Sequence, residues 1–165
     1  PVPGADAPRG GDRPRGRPFG VVGHVPYTVM ATPVAERQIR GLRGPRRRAY
    51  EQFEQHLAAT GCAALGYRLT GCDPLPRLCV KHLRGSDRVV VAFDGSIAWV
   101  LLVGPHTEAD QAADVYTALY DLAGISRPEQ PRTKPPCCNP TDGSAPQLEE
   151  TVIDELVQRA RALRR

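Results

Sequence analysis

Hydrophobic and polar positions along the chain predict strands, helices and long irregular segments. The most apolar stretch is 78–103, which two polar turns divide into three runs. The runs at 78–83, 88–93 and 97–103 are rich in β-branched and aromatic residues and are predicted to be consecutive strands. The second turn is Asp94-Gly95, a strong signal for a hairpin. The chain is therefore predicted to be organised around three consecutive strands.

One strand and two helices are predicted before this stretch. Residues 25–32 alternate as a strand does, and Pro33 then opens a helix at a position that suits proline. Gly44-Pro45 ends this helix near residue 43 and starts a second one, which runs to about residue 60. The two helices are predicted to form a helical hairpin.

The remaining segments divide into two helices and two irregular regions. A helix is predicted from Thr107, as the cap, to about residue 122. A last helix, 147–165, carries a wide apolar stripe that has to be buried against something. Residues 1–24 are rich in Pro, Gly and Arg and are predicted to be disordered, and the Pro-rich segment 125–146 is predicted to be a linker. Residues 25–124 then form the folded domain.

Composition excludes a membrane-spanning segment and is compatible with a nucleic-acid partner. The chain has 165 residues, a net charge of +4 and a pI near 9.0, and no apolar run in it is long enough to span a bilayer. Almost all of its basic residues are arginines. The two lysines are Lys81, within a predicted strand, and Lys134, within the predicted linker.

The five cysteines give no recognisable metal site or disulfide framework. Their number is odd, no C-x-x-C pair occurs, and the vicinal pair Cys137-Cys138 has no nearby histidine to complete a zinc site. The thiols are therefore predicted to be reduced, as in a cytoplasm, and no metal is predicted.

Two groups of basic residues are candidates for binding an anion. Lys81 and Arg88 lie on neighbouring predicted strands and would converge on one phosphate if the strand register gives them the same face. The second group is an arginine cluster on the helical hairpin, which is either a solvated face or a contact for RNA phosphates. Its members are Arg40, Arg43, Arg46, Arg47 and Arg48.

Six short motifs, in order and at matching intervals, resemble the RelE/ParE superfamily of bacterial toxins over residues 25–124. They are Leu69-Thr70-Gly71, Cys79-Val80-Lys81-His82, Asp87-Arg88-Val89-Val90-Val91, Trp99-Val100-Leu101-Leu102-Val103-Gly104, His106 and Asp114-Val115-Tyr116. The chain departs from the family pattern at Asp87, where an aromatic residue is usual, and at His106, where arginine is usual. Residues 107–113 are longer than the family's connection, and 125–165 extend beyond it.

The resemblance implies an α+β fold, with a four-stranded, mainly antiparallel sheet and the N-terminal helical hairpin on one face. It also implies a toxin of a type II toxin–antitoxin system. RelE-type members inhibit translation by cutting mRNA on the ribosome. In that reaction the ribose 2′-OH attacks the adjacent phosphate and leaves a cyclic phosphate, without a metal or other cofactor.

The same resemblance indicates four catalytic residues. Arg88 would bind the phosphorane, Lys81 would act as a cation or base, His106 as an acid or base, and Tyr116 would stack on a base or orient the phosphate. Each also has an ordinary explanation: a solvated lysine, an arginine at a turn, a loop histidine and a core tyrosine. His24, His56 and His82 are assigned no function.

The resemblance further implies a cognate antitoxin protein as partner, besides mRNA and the ribosome, and a cytoplasmic location. The alternative is a non-catalytic protein, either a gyrase inhibitor of the ParE type or a degenerate member that only binds its antitoxin. The stripe on helix 147–165 would pack on its own domain, form a dimer, or occupy the groove for the antitoxin.

Overall fold

The computed structural model describes residues 26–129 and 133–163, which form an α+β fold. The predicted disordered leader, 1–24, lies outside these residues. The strands are β1 (Thr28–Ala31), β2 (Tyr67–Arg68), β3 (Leu78–His82), β4 (Asp87–Asp94) and β5 (Ile97–Pro105). The helices are α1 (Pro33–Gly41), α2 (Gly44–Thr60), α3 (Val115–Ala123) and α4 (Glu150–Ala162), and short 3-10 helices cover Gly61–Ala64 and Leu75–Arg77.

The strands form a mixed sheet in the order β1-β5-β4-β3-β2. β1 pairs in parallel with β5, while the other neighbours are antiparallel. The predicted four-stranded, mainly antiparallel sheet therefore has five strands in the structure. The additional strand, β2, has only two residues and lies in a stretch predicted to be a loop, where so short a pairing leaves no periodic signal.

The central hairpin is confirmed. Gly95 has φ +55°, a conformation that glycine adopts at little cost, and Asp94 pairs with Ile97 across the turn. The pairing of β4 with β5 shifts between Val90 and Val91, so that Leu101 is an extra residue on β5.

Helices cover both faces of the sheet, whereas the prediction described only the N-terminal helical hairpin, on one face. One face packs against α2 in a core that includes Phe53, Leu57 and Val91, here called the α2 core. The other face packs against α3 and α4 in a core that includes Leu102, Leu119 and Leu156, here called the α3/α4 core. Strands covered on both sides are apolar at successive positions, as β4 and β5 are.

The third helix starts later than predicted, at Val115 rather than Thr107. The Asp114 carboxylate accepts a hydrogen bond from the Thr117 N–H at 3.0 Å and so caps α3. The Thr107 hydroxyl instead accepts from the Ala109 N–H at 3.3 Å and closes a local turn. Both residues are good caps, and sequence alone favoured the wrong one.

The prediction of reduced thiols is wrong in this structure, and part of the segment predicted to be a linker is bonded to the domain. Cys62 is bonded to Cys138, and Cys79 to Cys137, leaving Cys72 as the free cysteine. The two disulfides attach the middle of the Pro-rich segment to the α2 face of the sheet. Cys137 is only 2% exposed there and belongs to the α2 core.

The last helix packs on its own domain, one of the three predicted alternatives. α4 buries Ile153, Leu156 and Ala160 in the α3/α4 core. The chain reaches α4 through Leu148, whose N–H donates to the Phe93 carbonyl at 2.8 Å. In the described ranges, no helix combines the length and apolarity needed to cross a membrane.

Candidate functional site

A cavity of about 360 Å³ opens on the α3/α4 face, beside the paired ends of β3 and β4. Its walls come from β2, β3, β4, the end of β5, the start of α3 and the Pro-rich segment. The chemistry-bearing residues that line it are Tyr67, His82, Arg88, His106, Glu108, Tyr116, Arg127 and Lys134. Two histidines, three cations, two tyrosines and one carboxylate therefore line one space.

Strand register sets which of the predicted residues reach this cavity. Arg88 pairs directly with His82, and Lys81 pairs with Val89. Paired residues share a face of the sheet, and Val89 belongs to the α2 core. Lys81 therefore lies on the face opposite Arg88 and does not line the cavity. The expected convergence of Lys81 and Arg88 on one phosphate is wrong, because the register joins Arg88 to His82 instead.

Arg88 has unused hydrogen-bonding capacity. Its Nη1 donates to the carbonyls of Gly85 and Asp87, at 3.2 and 3.1 Å. Its Nε is buried and has no hydrogen-bond partner among the residues that the structure describes. A buried donor without an acceptor costs free energy, so an oxyanion at this point would be stabilised. The planar guanidinium fork suits two oxygens of a phosphate.

His106 is held by a buried carboxylate at the start of α3. Its Nδ1 is 2.8 Å from Asp114 Oδ1, which also accepts from the Thr107 N–H at 2.9 Å. Burial by itself would raise the pKa of Asp114, but these hydrogen bonds and the one from the Thr117 N–H outweigh it and lower the pKa. The carboxylate therefore stays charged at neutral pH. It orients the imidazole ring and leaves Nε2 for proton transfer.

Two tyrosines connect the histidines. The Tyr67 and Tyr116 hydroxyls are 3.0 Å apart, and Tyr67 Oη is 3.3 Å from His82 Nε2. The His106 ring stands edge-to-face against Tyr116, with ring centroids 4.8 Å apart. A polar chain thus runs from His82 through both tyrosines to the ring beside His106.

His82 is kept neutral near pH 7. Partial burial lowers its pKa below the ordinary value, and the positive charges of Arg88 and Lys134 lower it further, with smaller contributions from His106 and Lys81. A neutral imidazole can accept a proton, whereas an imidazolium cannot. His82 is thus suited to act as a base.

The arginine cluster lies elsewhere. Arg46 donates from Nε and Nη2 to the buried Asp87 carboxylate at 2.7 and 2.8 Å, and these hydrogen bonds raise the pKa of Arg46. Arg47 pairs with Glu51 on the surface of α2 at 3.0 Å. None of the five arginines is among the described residues that line the cavity. Arg46 thus fastens α2 to the start of β4.

Of the four residues predicted to be catalytic, three meet at the cavity: Arg88, His106 and Tyr116. Sequence reasoning missed His82, Tyr67 and Lys134. His82 had a misleading signal, because a four-residue turn at 84–87 would place residue 83 opposite residue 88, whereas the structure pairs residue 82 with residue 88. Tyr67 and Lys134 had none, since their positions depend on a two-residue strand and on disulfide connectivity.

Comparison with known proteins found similarity to solved structures. No protein-family model matches the sequence, and no curated protein matches it. A chain in the crystal structure of the RelBE2 toxin–antitoxin complex from Mycobacterium tuberculosis is 26% identical, with a TM-score of 0.41. The match covers 48% of this chain and 96% of that one. Over about half its length, the chain is therefore similar to a component of a toxin–antitoxin complex.

Proposed function

We propose that this chain is the toxin of a type II toxin–antitoxin system and an endoribonuclease that cuts mRNA on the ribosome and inhibits translation. The observation that carries the proposal is the convergence of Arg88, His82 and the His106–Asp114 pair on one cavity. RNA cleavage by the 2′-OH requires a base, a cation at the phosphorane and an acid. The cavity has a suitable residue for each role.

The first proton transfer is assigned to His82. Its imidazole is neutral near pH 7 and takes the proton of the 2′-OH as this oxygen bonds to phosphorus. Arg88 binds two non-bridging oxygens of the phosphorane with the fork that includes its unpartnered Nε. The negative charge that develops there is stabilised by donors that are already in position.

The second proton transfer is assigned to His106. In the imidazolium form of His106, Nδ1–H donates to Asp114 and Nε2–H gives its proton to the 5′-oxygen as the P–O5′ bond breaks. The products are a 2′,3′-cyclic phosphate and a 5′-hydroxyl. Tyr67 and Tyr116 present hydroxyls to the phosphate or ring faces to a base.

An antitoxin partner belongs to the same proposal. A toxin that arrests translation has to be neutralised in the cell that makes it, and a small protein encoded beside this gene would do so by covering the cavity. Co-expression with that neighbour is expected to restore growth and to yield a complex on purification.

Induced expression without the neighbour tests the function. Growth is expected to stop, and mRNA in a translating extract is expected to be cut at codon boundaries. Removing Arg88 should lower the cutting rate about a hundredfold, or about 3 kcal/mol of transition-state stabilisation. Lys81→Ala is the matched control, since it removes a cation from the opposite face. Wild-type protein that neither arrests growth nor cuts mRNA would overturn the proposal.

A further inference from the structure

Residues 133–138, here called the strap, pass around the edge of the sheet at β2. The Arg68 N–H donates to the Pro135 carbonyl at 2.8 Å, and its guanidinium donates to the carbonyls of Pro136 and Cys137 at 3.2 and 3.1 Å. The strap thus covers the edge strand through one backbone hydrogen bond and two hydrogen bonds from the Arg68 side chain. It begins on the cavity side of the sheet and ends on the α2 side.

The cavity end of the strap carries the second lysine of the chain. Lys134 lines the cavity, and its Nζ lies 5.2 Å from the centroid of the Tyr67 ring. Tyr67 in turn contacts His82 and Tyr116. Lys134 therefore places a positive charge at the mouth of the cavity, beside the residues assigned to chemistry.

The far end of the strap is fixed by covalent bonds. Cys137 is bonded to Cys79, which is fully buried in the middle of β3, and Cys138 is bonded to Cys62, in the 3-10 helix after α2. Only two residues separate Lys134 from Cys137. The two disulfides therefore limit how far Lys134 can move away from the cavity.

We infer that Lys134 is an RNA-binding residue of the cavity and that the two disulfides hold it there, so that the oxidised protein binds RNA more tightly than the reduced protein. This inference rests on the proposed function, because RNA is the polyanion assumed to enter the cavity. A lysine ammonium at the mouth contacts a backbone phosphate as a point charge, which supplies affinity without sequence preference.

The redox step is thiol–disulfide exchange. A dithiol reductant gives two electrons and two protons to each disulfide, which becomes two thiols, while the reductant becomes a disulfide itself. After both bonds are reduced, the hydrogen bonds from Arg68 are the remaining described polar contacts of the strap with β2. Lys134 then samples positions away from Tyr67, and the phosphate contact weakens.

The oxidation state is tested first, by mass spectrometry. The purified full chain is denatured and alkylated with iodoacetamide, with and without prior reduction. One modified thiol, Cys72, is expected without reduction and five after it. Five modified thiols without reduction, after exposure to oxidised glutathione, would overturn the disulfide part of the inference.

Binding is then measured with a fluorescent single-stranded RNA whose 2′-O-methyl groups prevent cleavage. Lys134→Ala is expected to weaken binding about three- to tenfold and to reduce the salt slope by about 0.7, the effect of one lost phosphate contact on a single strand. Lys134→Arg should bind as the wild type does. Lys81→Ala, the only other lysine substitution that the sequence allows, should also leave affinity unchanged.

The link between the disulfides and Lys134 is measured as a double-mutant cycle. Dithiothreitol, or the variant in which Cys62, Cys79, Cys137 and Cys138 are all replaced by serine, should weaken binding to the level of Lys134→Ala. Adding Lys134→Ala to either should change little more, because the lysine is already displaced. Circular dichroism of the reduced wild type checks that the sheet stays folded. Fully additive losses, a reduced protein that binds as tightly as the oxidised one, or a reduced protein that unfolds would each overturn the inference.

Cleavage of an ordinary RNA separates this inference from the proposed function. If RNA binding depends on Lys134 and on the disulfides but no RNA is cleaved, the proposed nuclease activity is wrong and the inference about Lys134 is supported. If RNA is cleaved at the same rate with Lys134→Ala and with dithiothreitol, the nuclease activity is supported and the inference about Lys134 is wrong. A chain that binds no RNA in either redox state would contradict both.

Discussion

At the scale of single residues, the account depends on which side chains share a face of the sheet. Because His82 pairs with Arg88, His82 lies on the same face of the sheet as Arg88, and Lys81 lies on the opposite face. A change of one residue in register would have reversed this outcome, because side chains alternate between faces. Burial and neighbouring positive charges then lower the pKa of His82.

Asp114 is predicted to position His106 through its charge. Asp114→Asn keeps an acceptor near Nδ1 but removes the carboxylate that stabilises positive charge on the ring. We expect kcat to fall by about a hundredfold or more with little change in KM, as for other orienting carboxylates. Single-turnover cleavage measures this effect. Asp110→Asn is the control, because Asp110 is exposed in the same loop and caps only the Ala112 N–H; equal effects of both variants would contradict the assignment.

His82 is predicted to set the acidic limb of the pH–rate profile. Its pKa is lowered by burial and by nearby cations, so the base form appears as pH rises through a value below 6.5. The rate should therefore rise with an apparent pKa below 6.5, and His82→Gln should abolish that limb. The lowered pKa also means that protonation of His82 favours the unfolded state. The contribution of His82 to the free energy of unfolding is complete above pH 6.5 and is lost as pH falls through the pKa of the folded state. An acidic limb unchanged in His82→Gln would assign the base elsewhere.

At the scale of elements, the start of β4 and the start of α3 are each fixed by a buried carboxylate. Asp87 joins β4 to α2 through Arg46, and Asp114 joins α3 to the end of β5 through His106. These two residues are among the few buried charged groups that the structure describes. In both, each carboxylate oxygen accepts at least one hydrogen bond, which is the condition under which a buried carboxylate is tolerated.

The Arg46–Asp87 pair is expected to contribute to stability rather than to RNA binding. Arg46→Ala leaves a buried carboxylate without its partner and should cost about 1–2 kcal/mol of unfolding free energy, a value reduced because Arg46 is half exposed. Arg47→Ala removes an exposed pair and should cost at most about 0.5 kcal/mol. Urea unfolding compares them. If Arg46→Ala binds RNA more weakly but unfolds at the same urea concentration as the wild type, Arg46 contacts RNA, as the sequence analysis predicted.

Helix α4 is expected to be part of the fold. Leu156 is 1% exposed in the α3/α4 core, so Leu156→Ala should destabilise the protein by about 2–5 kcal/mol. Gln158→Ala, on the exposed side of α4, should stay within about 0.5 kcal/mol of the wild type. Thermal melts of both variants measure the difference. Equal melting temperatures would mean that α4 leaves the domain in solution.

At the scale of the whole molecule, sequence predicted the local features and missed the distant connections. The Asp94-Gly95 hairpin and the two N-terminal helices were predictable because turn chemistry and periodicity act over a few residues. The pairing of Cys79 with Cys137 spans 58 residues, and connectivity of this kind cannot be deduced from spacing. For the same reason Lys134 was assigned to a linker, although the strap brings it to the cavity.

The most direct test of the central claim is to remove the attacking group from the RNA. The cut site in one mRNA is first mapped in a translating extract, and a single 2′-deoxynucleotide is then placed 5′ of that bond. Wild-type protein is expected to cut the unmodified mRNA to a 2′,3′-cyclic phosphate and a 5′-hydroxyl and to leave the deoxy-substituted bond intact. Cutting of the deoxy-substituted bond at the normal rate would contradict attack by the 2′-OH and the roles assigned to His82, Arg88 and His106.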